Sequence, residues 1–127
     1  MQKTFIVLPL LACFLFISNL ASAQISELKL INNSNCPVTV QVHNNDANCN
    51  AYCSSAVTTV AANTTVAIPL NCLTEEKGGS VQVDIMDNQS GVRIGTGCGL
   101  PGFDTYLDCG SQARTAAMIG SGSAIIN

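Results

Sequence analysis

The stretch Val38-Thr39-Val40-Gln41-Val42-His43 alternates a valine with a polar side chain at every second position. Because successive side chains of a β-strand point to opposite faces, this period of two predicts a half-buried strand with its valines directed inward. Val, Ile and Thr dominate such stretches, whereas an apolar pattern with the helical period of 3.6 is absent. The chain is therefore predicted to be all-β. The same alternation returns in Leu28-Lys29-Leu30, Val66-Ala67-Ile68 and Val81-Gln82-Val83-Asp84-Ile85.

Short clusters of Asn, Asp, Ser, Gly and Pro separate these stretches, and such residues favour turns. Seven or eight short strands of this kind are typical of a small antiparallel β-sandwich, with an immunoglobulin-like or thaumatin-like architecture. Pro69 has no N–H to donate, so we expect it at a sheet edge or at the end of a strand. Weaker alternation predicts further strands within residues 57–60, 92–94, 105–109 and 115–119.

Residues 1–23 resemble a secretory signal peptide, with Lys3 before an apolar run and the small residues Ala21-Ser22-Ala23 at the cleavage position. The apolar run, residues 5–17, is shorter than the roughly 18 residues that indicate a membrane-spanning helix. A lipoprotein signal acylated at Cys13 is the alternative. We expect cleavage after Ala23, one domain over residues 24–127 without a membrane span, and a secreted, extracellular location, or a periplasmic or cell-surface one in a bacterium.

Six cysteines follow the signal segment, an even number that predicts three disulfides in an exported chain, with 15 possible connectivities. A Cys98–Cys109 bond is the first expectation, because the Gly- and Pro-containing loop between them would bring two strands side by side. Zinc is the alternative, with Cys49 and Cys53 as two ligands, but no second closely spaced pair exists and His43 is the only histidine. The six are Cys36, Cys49, Cys53, Cys72, Cys98 and Cys109.

Residues 24–127 carry four basic and eight acidic side chains, a formal charge of −4. Nucleic acids and anionic membranes are bound by clustered Lys and Arg, so this balance argues against both as partners. An extracellular protein or glycan is the expected partner instead. Aromatic side chains anchor such interfaces, and Tyr52 and Tyr106 are the candidate ligand-binding residues, with half-buried packing as their alternative role.

No catalytic residue is assigned from the sequence. His43 follows the polar phase of its strand, which places it on the solvent-facing side, and no serine lies in a G-x-S-x-G context. Asp84 with Asp87, or Asp104 with Asp108, would have to serve as an acid–base pair. Convergence of His43, Asp84 and Asp104 in one concave pocket would favour an enzyme.

Calcium is a possible cofactor, because Asp84, Asp87 and Asn88, with nearby loop carbonyls, supply the hard oxygen ligands that it prefers. Asp46 and its neighbouring asparagines form a similar group. Turn formation explains both groups equally well, since Asx side chains stabilise turns. The sequons that begin at Asn32, Asn63 and Asn88 would carry glycans only in a eukaryotic secretory pathway.

Residues 28–40, Leu-Lys-Leu-Ile-Asn-Asn-Ser-Asn-Cys-Pro-Val-Thr-Val, resemble the opening of thaumatin-like proteins. There, too, a strand ends in asparagine and is followed by a cysteine and a Thr-Val strand. The resemblance implies a β-sandwich. It transfers no cleft residues and no glucan-directed activity, because the aromatic and acidic positions of that family are not reproduced in this chain.

Two functional hypotheses follow. The first is a secreted, non-enzymatic binding or structural module of the accessory, adhesion or surface-assembly type, which acts through loops or a sheet face. The second is a small secreted effector, hydrolase or inhibitor of the defence type. The sequence favours the first, because cysteines and β-branched residues form a scaffold and no catalytic group is assembled.

Overall fold

The computed structural model describes residues 25–72, 79–86 and 91–127, and within these ranges the chain forms ten β-strands. The expected signal segment, with Cys13, and the proposed calcium ligands Asp87 and Asn88 lie outside the described residues. Within them, no helix has the length and apolarity needed to span a bilayer. The strands are β1 (Glu27–Asn32), β2 (Val38–Asn45), β3 (Ala51–Ser54), β4 (Thr58–Val60), β5 (Thr64–Pro69), β6 (Ser80–Ile85), β7 (Arg93–Gly95), β8 (Phe103–Asp108), β9 (Gln112–Met118) and β10 (Ser123–Ile126).

The strands form two five-stranded sheets. The first sheet has the order β5-β1-β10-β9-β8. The second has the order β3-β2-β6-β7, and β4 also pairs with β2. Both β3 and β4 pair antiparallel with β2, at His43–Asn45 and at Val38–Val40 respectively. The pairing of β1 with β10 is parallel, and all other described strand pairings are antiparallel.

The inward-facing side chains of both sheets pack into one hydrophobic core, which confirms the disulfide-stapled all-β sandwich. The first six residues of β2 show the predicted alternation, with the three valines almost fully buried and the polar side chains between them only partly buried. The last two residues, Asn44 and Asn45, are buried polar residues. Each fully buried Val or Leu side chain stabilises the fold by about 1.5–3 kcal/mol relative to exposure. The core combines Leu28, Leu30, Ile68, Tyr106, Ala116, Ala124 and Ile126 of the first sheet with Val38, Val40, Val42, Val60, Val81, Val83, Ile85 and Ile94 of the second.

Eight strands were expected from the sequence and each is present, whereas β3 and β10 were not predicted. The β3 sequence Ala-Tyr-Cys-Ser lacks an apolar alternation, and its burial is only partial. The β10 sequence Ser-Ala-Ile-Ile is short and is fixed by pairing with β1 and β9. Pro69 is the last residue of β5, an edge strand, so its missing N–H costs no ladder bond, as predicted.

Three disulfides connect the six cysteines, but the expected Cys98–Cys109 bond is wrong. Cys98 pairs with Cys49 and Cys109 with Cys36, across sequence separations of 49 and 73 residues. The third bond joins Cys53 to Cys72. Cys98 follows β7 of the second sheet and Cys109 follows β8 of the first sheet, so the two strands do not lie side by side as the expected bond required.

Asn32 organises the chain between β1 and β4, and its side chain is completely buried. Its Nδ2 donates to the carbonyl oxygens of Cys36 at 2.8 Å and of Val60 and Ala61 at 3.2 Å. Its Oδ1 accepts from the amide of Ser34 at 3.1 Å and from the Ser34 hydroxyl at 2.7 Å. The first sequon is therefore occupied by a core residue that has no room for a glycan in the folded chain.

Candidate functional site

The strand β8 lies at one edge of the first sheet, and within the described ranges it pairs with β9 alone. The Met118 amide donates to the Gly102 carbonyl at 2.7 Å, and the Thr115 amide and carbonyl bond to Asn127 on the other side of β9. Because hydrogen-bonding directions alternate along an antiparallel strand, the N–H and C=O groups of Phe103, Thr105 and Leu107 point away from β9.

The side chains of these same three residues lie on the outer face of the sheet. Phe103 is 68% exposed and Leu107 is 58% exposed, while Tyr106, on the opposite face, is 4% exposed and belongs to the core. Across the β8–β9 ladder, Phe103 faces Ala117 and Leu107 faces Ala113. The result is an uncharged apolar patch that ends in open backbone groups, which we call the β8 edge (Phe103, Thr105 and Leu107).

In β8, the apolar side chains are exposed, contrary to what the alternation of apolar and polar residues predicts. A strand with the sequence Phe-Asp-Thr-Tyr-Leu-Asp would ordinarily turn Phe103 and Leu107 inward and the two aspartates outward. Here Tyr106 packs in the core instead. Asp104 lies on the same face of β8 as Tyr106, but it is exposed because it lies at the margin of the sheet. Natural edge strands are normally protected by charges or bulges, so an exposed apolar edge marks a candidate interaction surface.

A second group of side chains, which we call the His43 cluster, lies on the outer face of the second sheet. His43 Nδ1 is 2.6 Å from Ser54 Oγ, and His43 Nε2 is 3.0 Å from Asp84 Oδ2. The register explains this arrangement, because Ser54 of β3 pairs directly with His43 of β2, and Asp84 lies on the adjacent strand β6. Gln82 Nε2 donates to Asp84 Oδ1 at 2.7 Å, and Arg93 Nε lies 3.6 Å from the same oxygen.

The hydrogen-bond partners of His43 determine its tautomer. A carboxylate only accepts, so Nε2 must donate to Asp84, and in the neutral ring Nδ1 then accepts the hydroxyl proton of Ser54. His43 and Asp84 are 14% and 21% exposed at their side chains, which shields this chain of bonds from much of the solvent. The cluster therefore has the Ser–His–Asp order of a nucleophile, its base and the group that orients the base.

The two candidate tyrosines differ in burial, since Tyr106 lies in the core and Tyr52 is half-buried. Tyr106 is 4% exposed and packs in the core, which corresponds to the packing role given above as its alternative. Tyr52 is half-buried on β3, and its ring lies beside Gly79, whose added Cβ would stand 3.9 Å from Tyr52 Cε1. The Tyr52 hydroxyl has no hydrogen-bond partner among the described residues.

The candidate carboxylates do not form one site. His43 and Asp84 meet on the outer face of the second sheet, whereas Asp104 lies on β8 of the first sheet. Asp104 Oδ1 accepts the backbone N–H of its own neighbour Thr105 at 2.8 Å. His43, Asp84 and Asp104 therefore do not converge in a pocket, and the side chain of Asp108 lies outside the described part of the molecule.

The calcium hypothesis rests on Asp84 within the described residues, and both oxygens of Asp84 already face donors. Asp46, the centre of the second oxygen group, uses Oδ1 to accept the amides of Asn48 and Asn50 at 2.9 and 3.0 Å, as expected of a turn-forming residue. Among the described residues, no three His, Cys, Asp or Glu side chains group closely enough to hold a metal ion.

Sequence reasoning missed Phe103 and Ser54 for different reasons. Phe103 is one of three aromatic residues within residues 24–127. Its sequence indicated an unusual strand, because Phe103 and Leu107 alternate with Asp104 and Asp108. Ser54 carries no motif of its own. Its approach to His43 depends on the β2–β3 register, which a sequence without recognisable alternation in β3 does not reveal.

Comparisons with protein-family models, with characterised proteins and with solved structures found no match to this chain.

Proposed function

We propose that this chain is a secreted, non-enzymatic binding or structural module that acts through the β8 edge. The observation that supports the proposal most strongly is the exposure of Phe103 and Leu107 on an edge strand whose backbone groups are open. An extended segment of another protein would gain main-chain hydrogen bonds from this edge, and its side chains would cover the two apolar anchors. Affinity would come from the backbone and specificity from the anchors.

The remainder of the molecule is consistent with a scaffold that presents this edge. Cys109, which follows β8, is bonded to Cys36. The Cys49–Cys98 bond joins the β2–β3 loop to the segment after β7, and the Cys53–Cys72 bond joins β3 to the segment after β5. Disulfides of this density are typical of exported domains. Rigid presentation favours binding, because less conformational freedom is lost when the partner docks. The acidic balance of charges favours a protein partner over nucleic acid.

The proposal is tested by replacing the two anchors together, Phe103→Asp with Leu107→Asp. Immobilised wild-type protein and variant are exposed to the extracellular medium or envelope fraction of the producing organism, and retained proteins are quantified by mass spectrometry. The matched control replaces Val57 and Met86, which are 53% and 49% exposed, with aspartate. If each anchor contributes about 2 kcal/mol, the loss of one weakens binding about thirtyfold and the loss of both weakens it by up to about a thousandfold.

A wild-type-specific set of retained proteins that disappears with the anchor variant and persists with the control supports the proposal. Equal retention by the wild type and both variants contradicts it. Thermal midpoints of all three proteins are measured alongside, because both anchors are already exposed and their replacement should leave the midpoint within a few degrees. A variant that unfolds would be replaced by the milder pair Phe103→Ser and Leu107→Ser.

A second candidate function, a small hydrolase of the effector class, is favoured by the His43 cluster. In such a reaction Ser54 Oγ would bond to a carbonyl carbon while His43 takes its proton, and the alcohol or amine would leave with that proton. Water would then cleave the acyl-serine. Activation requires the Ser54–His43 hydrogen bond and the orientation of the ring by Asp84.

A fluorophosphonate probe tests this second candidate. Ser54 Oγ would displace fluoride from phosphorus, with the proton passing to His43, and intact mass would increase by one probe per chain. Ser54→Ala should abolish this addition, and His43→Gln should slow it by two orders of magnitude or more, consistent with general-base catalysis of about 10²–10⁴-fold. An unlabelled wild-type protein, or labelling that survives Ser54→Ala, removes the hydrolase from consideration.

A further inference from the structure

We propose that the occupant of the β8 edge is a second copy of this chain, paired antiparallel through β8 about a twofold axis at Thr105. This inference rests on the proposed function and names its partner. A twofold axis normal to the sheet would keep the outer faces of both copies on the same side. The two first sheets would then continue into one ten-stranded sheet, with no exposed edge left at β8.

The proposed register allows main-chain hydrogen bonds to form across the junction. The N–H and C=O groups that point away from β9 belong to Phe103, Thr105 and Leu107, the positions that alternate with those bonded to β9. Of these groups, the Thr105 N–H is bonded to the Asp104 side chain. Centred on Thr105, Phe103 of one copy faces Leu107 of the second copy, and Thr105 faces its own equivalent. Each of these pairs exchanges two main-chain hydrogen bonds, because in all of them both residues direct their backbone groups across the junction.

The same register also brings apolar side chains together and keeps like charges apart. Each exposed Phe103 lies opposite an exposed Leu107 of the second copy, so the large apolar groups cover one another. Asp104 lies opposite Tyr106 of the second copy, and Asp108 lies opposite Gly102. Moving the centre by one residue, to Asp104 or to Tyr106, would place Asp104 opposite Asp104 or Asp108 of the second copy. Like charges in directly opposed positions are destabilising, so the Thr105-centred register is selected over its neighbours.

One contact opposes the pairing. The Asp104 carboxylate accepts the Thr105 N–H, which is one of the groups that the second copy would use. This bond must be released before the central pair can form. Asp104 therefore acts as a competitor for the edge, and removing its side chain should strengthen self-association. That expectation distinguishes strand pairing from general hydrophobic clustering, which would not depend on Asp104 in this way.

The expected affinity is modest. A junction of two six-residue strands with four apolar anchors belongs to the small interfaces, below about 1,200 Å² in total, that are typical of weak or transient association. The dimer is therefore expected to form in the micromolar to millimolar range. It would dominate where the protein is concentrated on a surface, and dissociate on dilution.

Sedimentation velocity of the oxidised protein over that concentration range tests the inference. The wild type should shift from monomer to dimer as concentration rises. Asp104→Ala should lower the dimer dissociation constant about tenfold, the equivalent of 1.4 kcal/mol for a released competitor and a removed charge. Phe103→Asp with Leu107→Asp should abolish the shift, and Val57→Asp with Met86→Asp should leave it unchanged.

Thr105→Pro provides a backbone-specific test. The Thr105 amide is not used by β9, so proline should be tolerated in the monomer and yet block the central pair. A thermal midpoint close to that of the wild type verifies that the variant is folded, and Leu107→Pro, at another open position, is the substitute if it is not. Loss of the dimer in this variant supports strand pairing.

The outcomes separate this inference from the proposed function. A wild type and an Asp104→Ala variant that both stay monomeric at millimolar concentration overturn the second copy as the partner. The capture comparison with the anchor variant then still decides whether the β8 edge binds another protein. A dimer that persists in the anchor variant and in Thr105→Pro also overturns the inference, because it must form through another surface.

Discussion

Replacement of Asn32 by alanine is expected to destabilise the fold more than any other single change of a polar side chain in the described residues. Asn32 is fully buried, and its amide joins the end of β1 to the turn before β2 and to the chain that follows β4. No other described side chain connects so many backbone groups. The variant keeps the apolar core intact and removes only these bonds.

The size of the effect follows from the groups that lose a partner. The Ser34 hydroxyl lies 3.0 Å from the Cys36 carbonyl and can turn to it when Asn32 is absent, so that carbonyl keeps a donor. The Ser34 amide and the Val60 carbonyl lose the bonds that Asn32 supplies. The Val60 carbonyl keeps the amide of Val38, its partner in the β2–β4 ladder, so only the Ser34 amide is left unsatisfied, at about 1–3 kcal/mol. With about 1 kcal/mol for the lost bond to Val60, the total is about 3 kcal/mol. Small domains have free energies of unfolding of about 5–15 kcal/mol, so the loss is a large fraction.

Urea unfolding of the oxidised protein, followed by circular dichroism, measures this loss. The matched control is Asn33→Ala, because Asn33 is the exposed neighbour and makes only an exposed bond to Asn127 at 3.4 Å. The control should change the free energy of unfolding by no more than about 0.5 kcal/mol. An Asn32→Ala variant that loses less than about 1 kcal/mol would refute the role given to this amide.

Three further predictions use the same unfolding measurement. Alanine replacement of the Cys36–Cys109 pair should cost about 1 kcal/mol more than that of the Cys53–Cys72 pair, because it opens the longer loop, and equal losses would contradict the loop-entropy argument. Leu30→Ala should cost about 2–5 kcal/mol, because Leu30 is fully buried. Val57→Ala should cost less than about 0.5 kcal/mol, because Val57 is exposed, and similar costs for the two variants would argue against the core described above. Ser55→Ala should cost about 1–3 kcal/mol, because Ser55 Oγ accepts the buried Val42 amide, whereas Ser54→Ala should cost little because Ser54 is exposed. A larger loss of stability for Ser54→Ala than for Ser55→Ala would contradict the hydrogen bond assigned to Ser55.

The fold class was predictable because alternation fixes which face of a strand is buried. The valines of β2 and β6 read directly as core residues, and they are core residues. The strands β3 and β10 were not predictable, because their pairing partners stabilise them and their own sequences carry no alternation. The prediction of a Cys98–Cys109 bond was wrong for a related reason. The two cysteines are close in sequence, but the sheet topology brings each of them to a cysteine that is distant in sequence.

The candidate site was less predictable than the fold. His43 does turn outward from β2, as its phase predicted, but its partners come from two neighbouring strands and depend on register. In β8 the pattern favours burial of Phe103 and Leu107, yet Tyr106, on the opposite face, is the residue that packs in the core. The exposed pair Phe103 and Leu107 is the consequence, and only the folded chain reveals it.

Amide hydrogen exchange along β8 tests most directly whether this edge is the acting surface. In the dilute monomer, the amides of Tyr106 and Asp104 should be protected by bonds to β9, while those of Phe103 and Leu107 exchange rapidly because they face the open edge. When the wild-type protein is concentrated or retains its partner, the Phe103 and Leu107 amides should slow at least tenfold, and Val57 should not change. Unchanged exchange at Phe103 and Leu107 in the bound state would contradict the account, because the partner would then be held elsewhere on the molecule.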